Sequence, residues 1–368
     1  MKIVILEPNV CVMAGMVRLA FMMGDVFKGL GHDVTVVGRT YGEVCVNVPV
    51  STFGKQQILH IRQGLIQRHY RVKELRKFQP VKYLTHRDVR LERIPTAYPF
   101  MYFAENVRQL LFNADLVFTG AEIYVKLPEV VKGVERKQVQ YVHWPLTTLQ
   151  PVEGHTPRMI WANSIYTQQH VKAIWGLDST VVYPPTYCAF YQNERRFEDR
   201  PFDVVLLGRL DASKIESVLP ALKEFKVAVV GSAYGYEKNL PSWVTLYKNA
   251  SMKEAADVLA QSKVYVHGKG FGTYGGGKPS EAEHFGQTIV EAMSAGCVPI
   301  VPNVGGPPEI VGSEEQYGHI FGSIEDLRTI IQSLVQSKQY WTDRSAAAMK
   351  RAQDFDVNIV SRQVQQLL

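Results

Sequence analysis

Glu281-Ala-Glu-His-Phe-Gly-Gln-Thr-Ile-Val-Glu-Ala-Met-Ser-Ala-Gly296 is the stretch that says most about the fold of this 368-residue chain. The spacing of its apolar residues predicts a helix from Gln287 to Ala295, and Gly296 is placed to end that helix in a left-handed conformation. Gly286 and Gln287 then present backbone N–H groups at the helix N-terminus, where the macrodipole favours a phosphate. The stretch therefore predicts an anion site at the start of a helix.

Two carboxylates flank this anion site, with seven residues between them. Glu283 precedes the predicted helix and Glu291 lies one turn inside it, so both side chains can face one pocket. A hydroxyl group of a sugar and one of a ribose are natural partners for carboxylates in these places. The stretch thus indicates a nucleotide-sugar site. The alternative is that both glutamates are solvated residues beside an ordinary helix start.

Length and composition fit two domains of ordinary size, because 46% hydrophobic residues can supply two cores. No apolar run approaches the roughly 20 residues that span a bilayer, and Lys2–Leu6 has the pattern of a strand rather than of a signal peptide. We therefore expect a cytoplasmic protein. The four cysteines lack the spacing of a metal site or a disulfide framework and are expected to be reduced: Cys11, Cys45, Cys188 and Cys297.

Short β-rich runs alternate with helical stretches along the whole chain, which predicts parallel sheets covered by helices. The predicted strands are 2–6, 33–37, 115–118, 138–142, 159–163 and 180–183 in a first series, and 203–207, 226–230, 243–246, 264–267 and 298–301 in a second. The polar stretch 191–200 separates the two series. The predicted architecture is two doubly wound, Rossmann-like α/β domains, residues 1–190 and 200–353, that face each other across a cleft.

Basic residues are concentrated in the first half of the chain. Between Lys55 and Ile94, eleven lysines and arginines stand against three acidic residues, a local excess of eight in a chain whose net charge is +6. Apolar residues between Ile58 and Leu75 fall near helical spacing, so we interpret this part as a basic amphipathic helix. Such a helix favours an anionic surface or acceptor, and an ordinary solvated helix face is the alternative. The eleven are Lys55, Arg62, Arg68, Arg71, Lys73, Arg76, Lys77, Lys82, Arg87, Arg90 and Arg93.

Two glycine-rich motifs are weak on inspection. Gly272–Pro279 nearly matches a P-loop, but Pro279 stands where a hydroxyl would bind magnesium, and it lacks an N–H group. The run 268–272 does not lead directly into a helix, and the loop Glu7–Gly15 has no dinucleotide fingerprint. Neither an NTPase nor a dehydrogenase is therefore indicated.

The stretch 281–296 resembles the Glu-x7-Glu motif of the retaining glycosyltransferases of family 4, which have the GT-B fold. Further segments resemble the same family in the same order, so the resemblance covers nearly the whole chain. They are the first glycine loop and second strand, Met13–Arg18 and Gly31–Val37; a strand end with an active-site histidine, Tyr141–Pro145; the end of the N-terminal domain, Ala162–Pro185; the start of the C-terminal domain, Gly208–Lys214; and the continuation Gly305–Val311.

This resemblance implies a retaining, metal-independent hexosyltransferase whose donor is a nucleoside diphosphate sugar, such as a UDP- or GDP-hexose, with no further cofactor. It implies that Arg209 and Lys214 clamp the leaving diphosphate and that Glu283 holds the donor hexose. His143 is then expected beside the sugar, near the reacting centre. The remaining residues implied for donor binding are Gly15, Phe285, Gly286, Gln287, Thr288 and, on the ribose, Glu291.

Two alternative functions stay open, a nucleotide-sugar epimerase of the same fold and a non-catalytic nucleotide-sugar-binding subunit of a transferase complex. A glycosidase also uses two carboxylates, but it has no need of two cations for a leaving diphosphate. In the family, the last helix usually crosses back to the first domain. The tail 354–368 is therefore expected to pack on the N-terminal domain.

The acceptor is expected to bind the N-terminal domain of such a protein. The aromatic run Tyr98–Phe103 lies close to the basic segment, which fits a peripheral protein that rests on a membrane face and takes a lipid-linked glycan. The alternatives are that the aromatic run is core and that the basic face binds a soluble acidic glycan. No feature indicates a nucleic acid partner. The base, the hexose and the acceptor are left open.

Overall fold

The computed structural model describes residues 1–7, 15–38, 71–74, 105–120, 127–145, 150–151, 153–208, 212–231, 239–272, 281–312 and 314–368. They form two compact units. Unit 1 comprises Met1–Tyr183 and Val360–Leu368, and unit 2 comprises Pro184–Ile359.

Strands and helices alternate through both units. The strands are β1 (Lys2–Glu7), β2 (Asp33–Gly38), β3 (Arg71–Glu74), β4 (Leu116–Thr119), β5 (Gln138–Val142), β6 (Met159–Ala162), β7 (Thr180–Val181), β8 (Phe202–Leu207), β9 (Val227–Gly231), β10 (Val244–Lys248), β11 (Ser262–Val266), β12 (Val298–Pro302) and β13 (His319–Phe321). The helices are α1 (Gly15–Gly29), α2 (Glu105–Asn113), α3 (Leu127–Val130), α4 (Ile165–Trp175), α5 (Cys188–Tyr191), α6 (Ala212–Ile215), α7 (Leu219–Leu222), α8 (Met252–Ala260), α9 (Gln287–Ser294), α10 (Pro307–Val311), α11 (Ile324–Gln336), α12 (Lys338–Ala352) and α13 (Val357–Leu367). Short 3-10 turns cover Val134–Lys137, Phe197–Asp199 and Gln353–Phe355.

The sheet of unit 1 is parallel and has the strand order β3-β2-β1-β4-β5-β6-β7. The order reverses between β1 and β4, as in doubly wound nucleotide-binding folds. Its core includes Phe118, whose ring lies 5.6 Å from that of Phe27 and 6.1 Å from that of Trp161. On the last helix, Gln363 donates to the carbonyl oxygen of Val181 at 2.7 Å.

The sheet of unit 2 is also parallel and has the order β10-β9-β8-β11-β12-β13. Its reversal point lies between β8 and β11, in which the apolar runs 204–206 and 264–266 are buried. Continuous apolar strands are expected where helices cover both faces of a parallel sheet. The prediction of two Rossmann-like α/β units is therefore confirmed.

Two strands depart from the sequence-based expectations. Arg71–Glu74 is an edge strand, registered against β2 from Thr35↔Arg71 to Gly38↔Glu74, rather than the end of an amphipathic helix. Backbone pairing with β2 outweighed the helical spacing. The rest of the basic segment and the aromatic run lie outside the described residues. The short strand β13 was not predicted at all.

Within the described ranges, none of the helices combines the length and the apolar character that crossing a bilayer requires.

Candidate functional site

The candidate site of unit 2 lies at the carboxyl ends of β8 and β11, where the strand order reverses. Ligands of open α/β sheets bind at such points, because the loops from the two strands diverge there. Gly208 follows β8 and His267 follows β11. A pocket at this edge is lined by Gly208, Lys214, Tyr265, His267 and Gly268, among others.

The turn that carries Glu283 is held by its backbone. Gly306 donates its N–H to the Glu283 carbonyl oxygen at 2.9 Å. A Cβ atom on Gly305 would collide with that same oxygen, and one on Gly306 would collide with the carbonyl oxygen of His284. The loop after β12 can therefore approach this closely only because both residues are glycines. The Gly305–Val311 segment thus fixes where Glu283 stands.

Helix α9 begins next to this turn, as predicted. Gly286 precedes it with φ 105°, and a Cβ atom there would collide with the Ile289 side chain. No side chain among the described residues caps this end of the helix. Gly296, with φ 80°, follows the helix in the left-handed conformation, which confirms the predicted end. The dipole of α9 therefore presents its positive end beside the turn.

Lys214 and Glu283 are brought together in this site. The Lys214 Nζ lies 3.6 Å from the Glu283 Oε2, and about a fifth of each side chain is exposed (19% and 22%). Burial alone raises the pKa of Glu283, but the charge of Lys214, with smaller effects of His267 and Lys269, overrides burial and lowers that pKa to about 2. Glu283 is therefore an ionised carboxylate at neutral pH.

His267 is a site residue that the sequence analysis missed. Its side chain is 3% exposed, and its Nε2 lies 3.6 Å from the Glu283 Oε2. Its Nδ1 lies 3.1 Å from the Tyr265 hydroxyl, which in turn lies 2.8 Å from the Thr288 Oγ1. Burial lowers the pKa of His267 to about 4, against the opposing effect of Glu283, so the ring is neutral at pH 7. Its position directly after β11 was the signal in the sequence.

The other predicted donor residues of α9 have mixed surroundings. Phe285 is 3% exposed and packs its ring 5.6 Å from that of Phe355, so its side chain belongs to the core of unit 2. The Gln287 side chain donates to the Pro185 carbonyl oxygen at 3.2 Å. The Thr288 hydroxyl forms a hydrogen bond with the Tyr265 hydroxyl at 2.8 Å. Glu291 is a buried carboxylate, 2% exposed, on the same helix.

The remaining predicted site residues do not belong to unit 2 or lie outside the described residues. His143 follows β5 in unit 1; its ring lies 5.3 Å from that of Tyr141, and its carbonyl oxygen accepts a hydrogen bond from the Thr167 hydroxyl at 3.3 Å. Gly15 is the first residue of α1. Arg209 is not among the described residues.

Across the described ranges, no three or more His, Cys, Asp or Glu side chains are grouped so that they could hold a metal ion.

Comparisons with known proteins fit this geometry. Residues 192–353 match the family model described as Glycosyl transferases group 1. The sulfoquinovosyl transferase SQD2 of Arabidopsis thaliana is 25% identical over 166 residues, which are 42% of this chain and 30% of that protein. A GDP-Man:Man(3)GlcNAc(2)-PP-Dol alpha-1,2-mannosyltransferase of Dictyostelium discoideum is 20% identical over 248 residues, 58% of this chain and 47% of that protein. The chain thus spans less than half the length of these curated relatives.

Solved structures resemble the entire chain. Anabaena Alr3699/HepE, crystallised with UDP and glucose, gives a TM-score of 0.72 at 18% identity over 100% of this chain and 99% of its own. Sucrose-phosphate synthase (tll1590) of Thermosynechococcus elongatus gives 0.71 at 15% identity over 100% of this chain and 98% of its own. At such identities the likeness establishes the fold, and it confirms the GT-B architecture expected from the sequence.

Proposed function

We propose, from the match of residues 192–353 to the model of the group 1 glycosyl transferases, that the chain is a retaining glycosyltransferase that moves a hexose from a nucleoside diphosphate sugar to an acceptor hydroxyl. One observation carries the proposal: the Lys214 ammonium and the Glu283 carboxylate lie 3.6 Å apart, next to the glycine that opens helix α9. A cation beside a helix N-terminus suits a diphosphate, and an ionised carboxylate suits sugar hydroxyls. A nucleotide sugar needs both.

In the proposed reaction, the bond between the anomeric carbon and the β-phosphate oxygen breaks while a bond to the acceptor oxygen forms on the same face of the sugar. The departing phosphate takes the proton of the acceptor hydroxyl. Negative charge therefore grows on the diphosphate in the transition state, where fixed positive groups lower the barrier most. Lys214, Arg209 and the first amides of α9 are the groups proposed for this task.

Glu283 is proposed to hold the donor hexose and Glu291 the ribose. Of the residues of unit 1, His143 is proposed to act near the reacting centre and Gly15 to take part in donor binding. The carboxylate of Glu283 is ionised because its pKa is lowered to about 2, so it can only accept hydrogen bonds. This role suits the recognition of hydroxyl groups. We also propose that no metal ion and no separate cofactor take part, since cationic side chains can neutralise the leaving group.

A nucleotide-release assay tests these proposals. UDP-glucose and GDP-mannose, each with and without candidate glycan acceptors, are incubated with the protein, with and without EDTA, and the anomeric configuration of any product is determined by NMR. We expect release that depends on the acceptor, resists EDTA and retains configuration. Acceptor-independent conversion of the sugar would instead identify an epimerase, and binding without turnover would identify a non-catalytic subunit.

The acceptor is proposed to be a glycan carried on a lipid, at the cytoplasmic face of a membrane. One similar protein is described as acting on a dolichol-linked glycan, and the basic segment supplies charges that anionic lipids attract by about 1 kcal/mol each. We expect cosedimentation with anionic but not neutral vesicles at low salt. Changing Arg68, Arg71, Arg76 and Lys77 to Gln should weaken it. Wild-type protein that stays in the supernatant with both vesicle types would redirect the search to soluble acceptors.

A further inference from the structure

His267 occupies the candidate site without a role in the Glu-x7-Glu motif. Its ring is almost fully buried, 3% exposed, and fixed at Nδ1 by the Tyr265 hydroxyl at 3.1 Å. Its Nε2 has no hydrogen-bond partner among the described residues and lies 3.6 Å from the Glu283 Oε2. A buried polar atom in this position is expected to have a partner, and the separation exceeds that of a hydrogen bond. Within the described residues, Nε2 is therefore the ring atom that still needs a partner.

Charge decides which nitrogen of His267 carries the proton. A lone pair on Nε2 would face the Glu283 carboxylate, which is unfavourable, whereas an Nε2–H group faces it favourably. Nδ1 is then the acceptor, and the Tyr265 hydroxyl donates to it. The Tyr265 oxygen in turn accepts from the Thr288 hydroxyl, 2.8 Å away, in the first turn of α9. We assign the tautomer on this electrostatic ground.

A hydroxyl group matches the chemistry of these two side chains, because it accepts one hydrogen bond and donates another. Its oxygen can receive the Nε2–H of His267 while its proton goes to Glu283. Lys214 also lies 3.6 Å from the Oε2 of this carboxylate, but it offers only donors. The imidazole can therefore donate to the oxygen of one hydroxyl while the carboxylate accepts the proton of the same hydroxyl.

We propose that His267 is a further specificity-determining residue, which donates its Nε2–H to the hydroxyl of the donor hexose whose proton Glu283 accepts. The inference rests on the proposed function. It predicts that the protein distinguishes a hexose with this hydroxyl from its deoxy and fluoro analogues, because a deoxy position offers neither half of the contact. Tyr265 and Thr288 are positioning residues that hold the ring in its tautomer.

Binding measurements separate the sugar from the nucleotide. UDP, UDP-glucose, GDP and GDP-mannose are titrated into wild-type protein, His267→Ala and His267→Gln, of which the last retains an amide N–H donor. We expect His267→Ala to bind the preferred nucleotide sugar about five- to tenfold more weakly, as loss of one hydrogen bond implies, with an unchanged affinity for the free nucleoside diphosphate. His267→Gln should recover part of the loss. His319→Ala, which removes another buried histidine of unit 2 (6% exposed), should change neither affinity.

Monodeoxy forms of the preferred nucleotide sugar identify the hydroxyl. One of them should lose less affinity with His267→Ala than with wild-type protein, because the deoxy change and the substitution share the His267 contact, while the Glu283 contact is lost only with the hydroxyl. Two results would overturn this inference but not the proposed function. One is an equal loss of affinity for the nucleotide sugar and the free diphosphate in His267→Ala, and the other is additive losses of affinity with every deoxy form. Wild-type protein that binds none of the four nucleotides would overturn the proposed function, and this inference with it.

Discussion

The turn Glu281–Gly286 of unit 2 and the strand end Tyr141–Pro145 of unit 1 both lie at carboxyl edges of parallel sheets, yet they are fixed by different forces. The turn is held by a backbone hydrogen bond from Gly306 and by the charge of Lys214. The strand end is surrounded by rings, with Trp144 4.6 Å from His170 and His143 5.3 Å from Tyr141. The unit 2 turn thus depends on charged and hydrogen-bonded contacts, whereas the unit 1 strand end depends on contacts between rings.

This difference predicts that substitutions in the unit 2 turn damage the chemical step most, because preorganised charge is usually the largest contribution to such catalysis. Substitutions at the unit 1 strand end should have graded effects. Ring contacts are individually modest, about 0.5–1.5 kcal/mol each beyond the area they bury. The following experiments, from the largest expected effect to the smallest, test that division.

Removing the charge of Lys214 should have the largest effect. Lys214→Met keeps the aliphatic stem but deletes the ammonium that faces Glu283, so we expect kcat to fall about a hundred- to a thousandfold. Folding stability should fall as well, because the substitution leaves a carboxylate that is only 22% exposed without its cation, so kcat is compared between equally folded samples. Steady-state kinetics and thermal denaturation measure the two effects. Lys223→Met, an exposed lysine of the same unit, is the matched control, and wild-type kcat in Lys214→Met would contradict the assignment.

Neutralising Glu283 should come next. Glu283→Gln converts a charge-assisted hydrogen bond into a neutral one, a loss of about 1.5 to 3 kcal/mol that corresponds to about a ten- to hundredfold fall in kcat/KM. Affinity for the nucleoside diphosphate should be retained, whereas Glu291→Gln should weaken that affinity itself. Kinetics and nucleotide titrations on both variants check this division. Glu281→Gln changes an exposed carboxylate of the same turn and should be silent.

The sequence predicted those parts of the molecule that depend on local patterns. Buried strands such as β8 and β12 are apolar runs bounded by turn residues, and helix α9 carries its start and stop signals within ten residues. By contrast, β13 has only three residues, and β3 carries three charged residues out of four. A three-residue strand and a mostly charged strand carry too weak a local pattern to be recognised, so no local signal announces them.

The candidate site divides in the same way. Glu283, Gly286 and Gly296 could be placed because the turn and the helix are contiguous in sequence. His267 could not, since its relation to Glu283 and Thr288 arises only from tertiary contacts between the end of β11 and the start of α9. Gly305 and Gly306 allow the backbone of Glu283 and His284 to approach closely, and this is likewise a tertiary contact. Sequence reasoning therefore found the charged groups and missed the residues that position them.

In unit 1, a change at His143 should have a smaller effect than either change in unit 2. His143→Ala removes a ring that contacts Tyr141, and the hydrogen bond from Thr167 goes to the backbone carbonyl and persists. We expect kcat to fall about tenfold, as the loss of one hydrogen bond to the substrate implies, with nucleotide affinity unchanged. His155→Ala, in a loop of the same unit, is the control. A fall in kcat larger than that of Lys214→Met would reverse the proposed division between the units.

The smallest expected effect is on stability in acid, and it isolates the two titrating groups of the unit 2 site. Both pKa values are lowered by folding: His267 from 6.5 to about 4, by burial, and Glu283 from 4.5 to about 2, by Lys214 against the effect of burial. The unfolded chain therefore binds more protons in both cases, so stability is present above the unfolded value and is lost as the pH falls through the folded one. The stability that His267 contributes is lost between pH 6.5 and 4, and that of Glu283 between pH 4.5 and 2.

Denaturant midpoints are measured at pH 7, 5, 4 and 3. They should fall less steeply with pH than in wild type for His267→Gln in the upper window and for Glu283→Gln in the lower one. Parallel curves of midpoint against pH for wild type and both variants would mean that folding does not lower these two pKa values. The contrast between a charged site in unit 2 and a ring-lined strand end in unit 1 would then be contradicted.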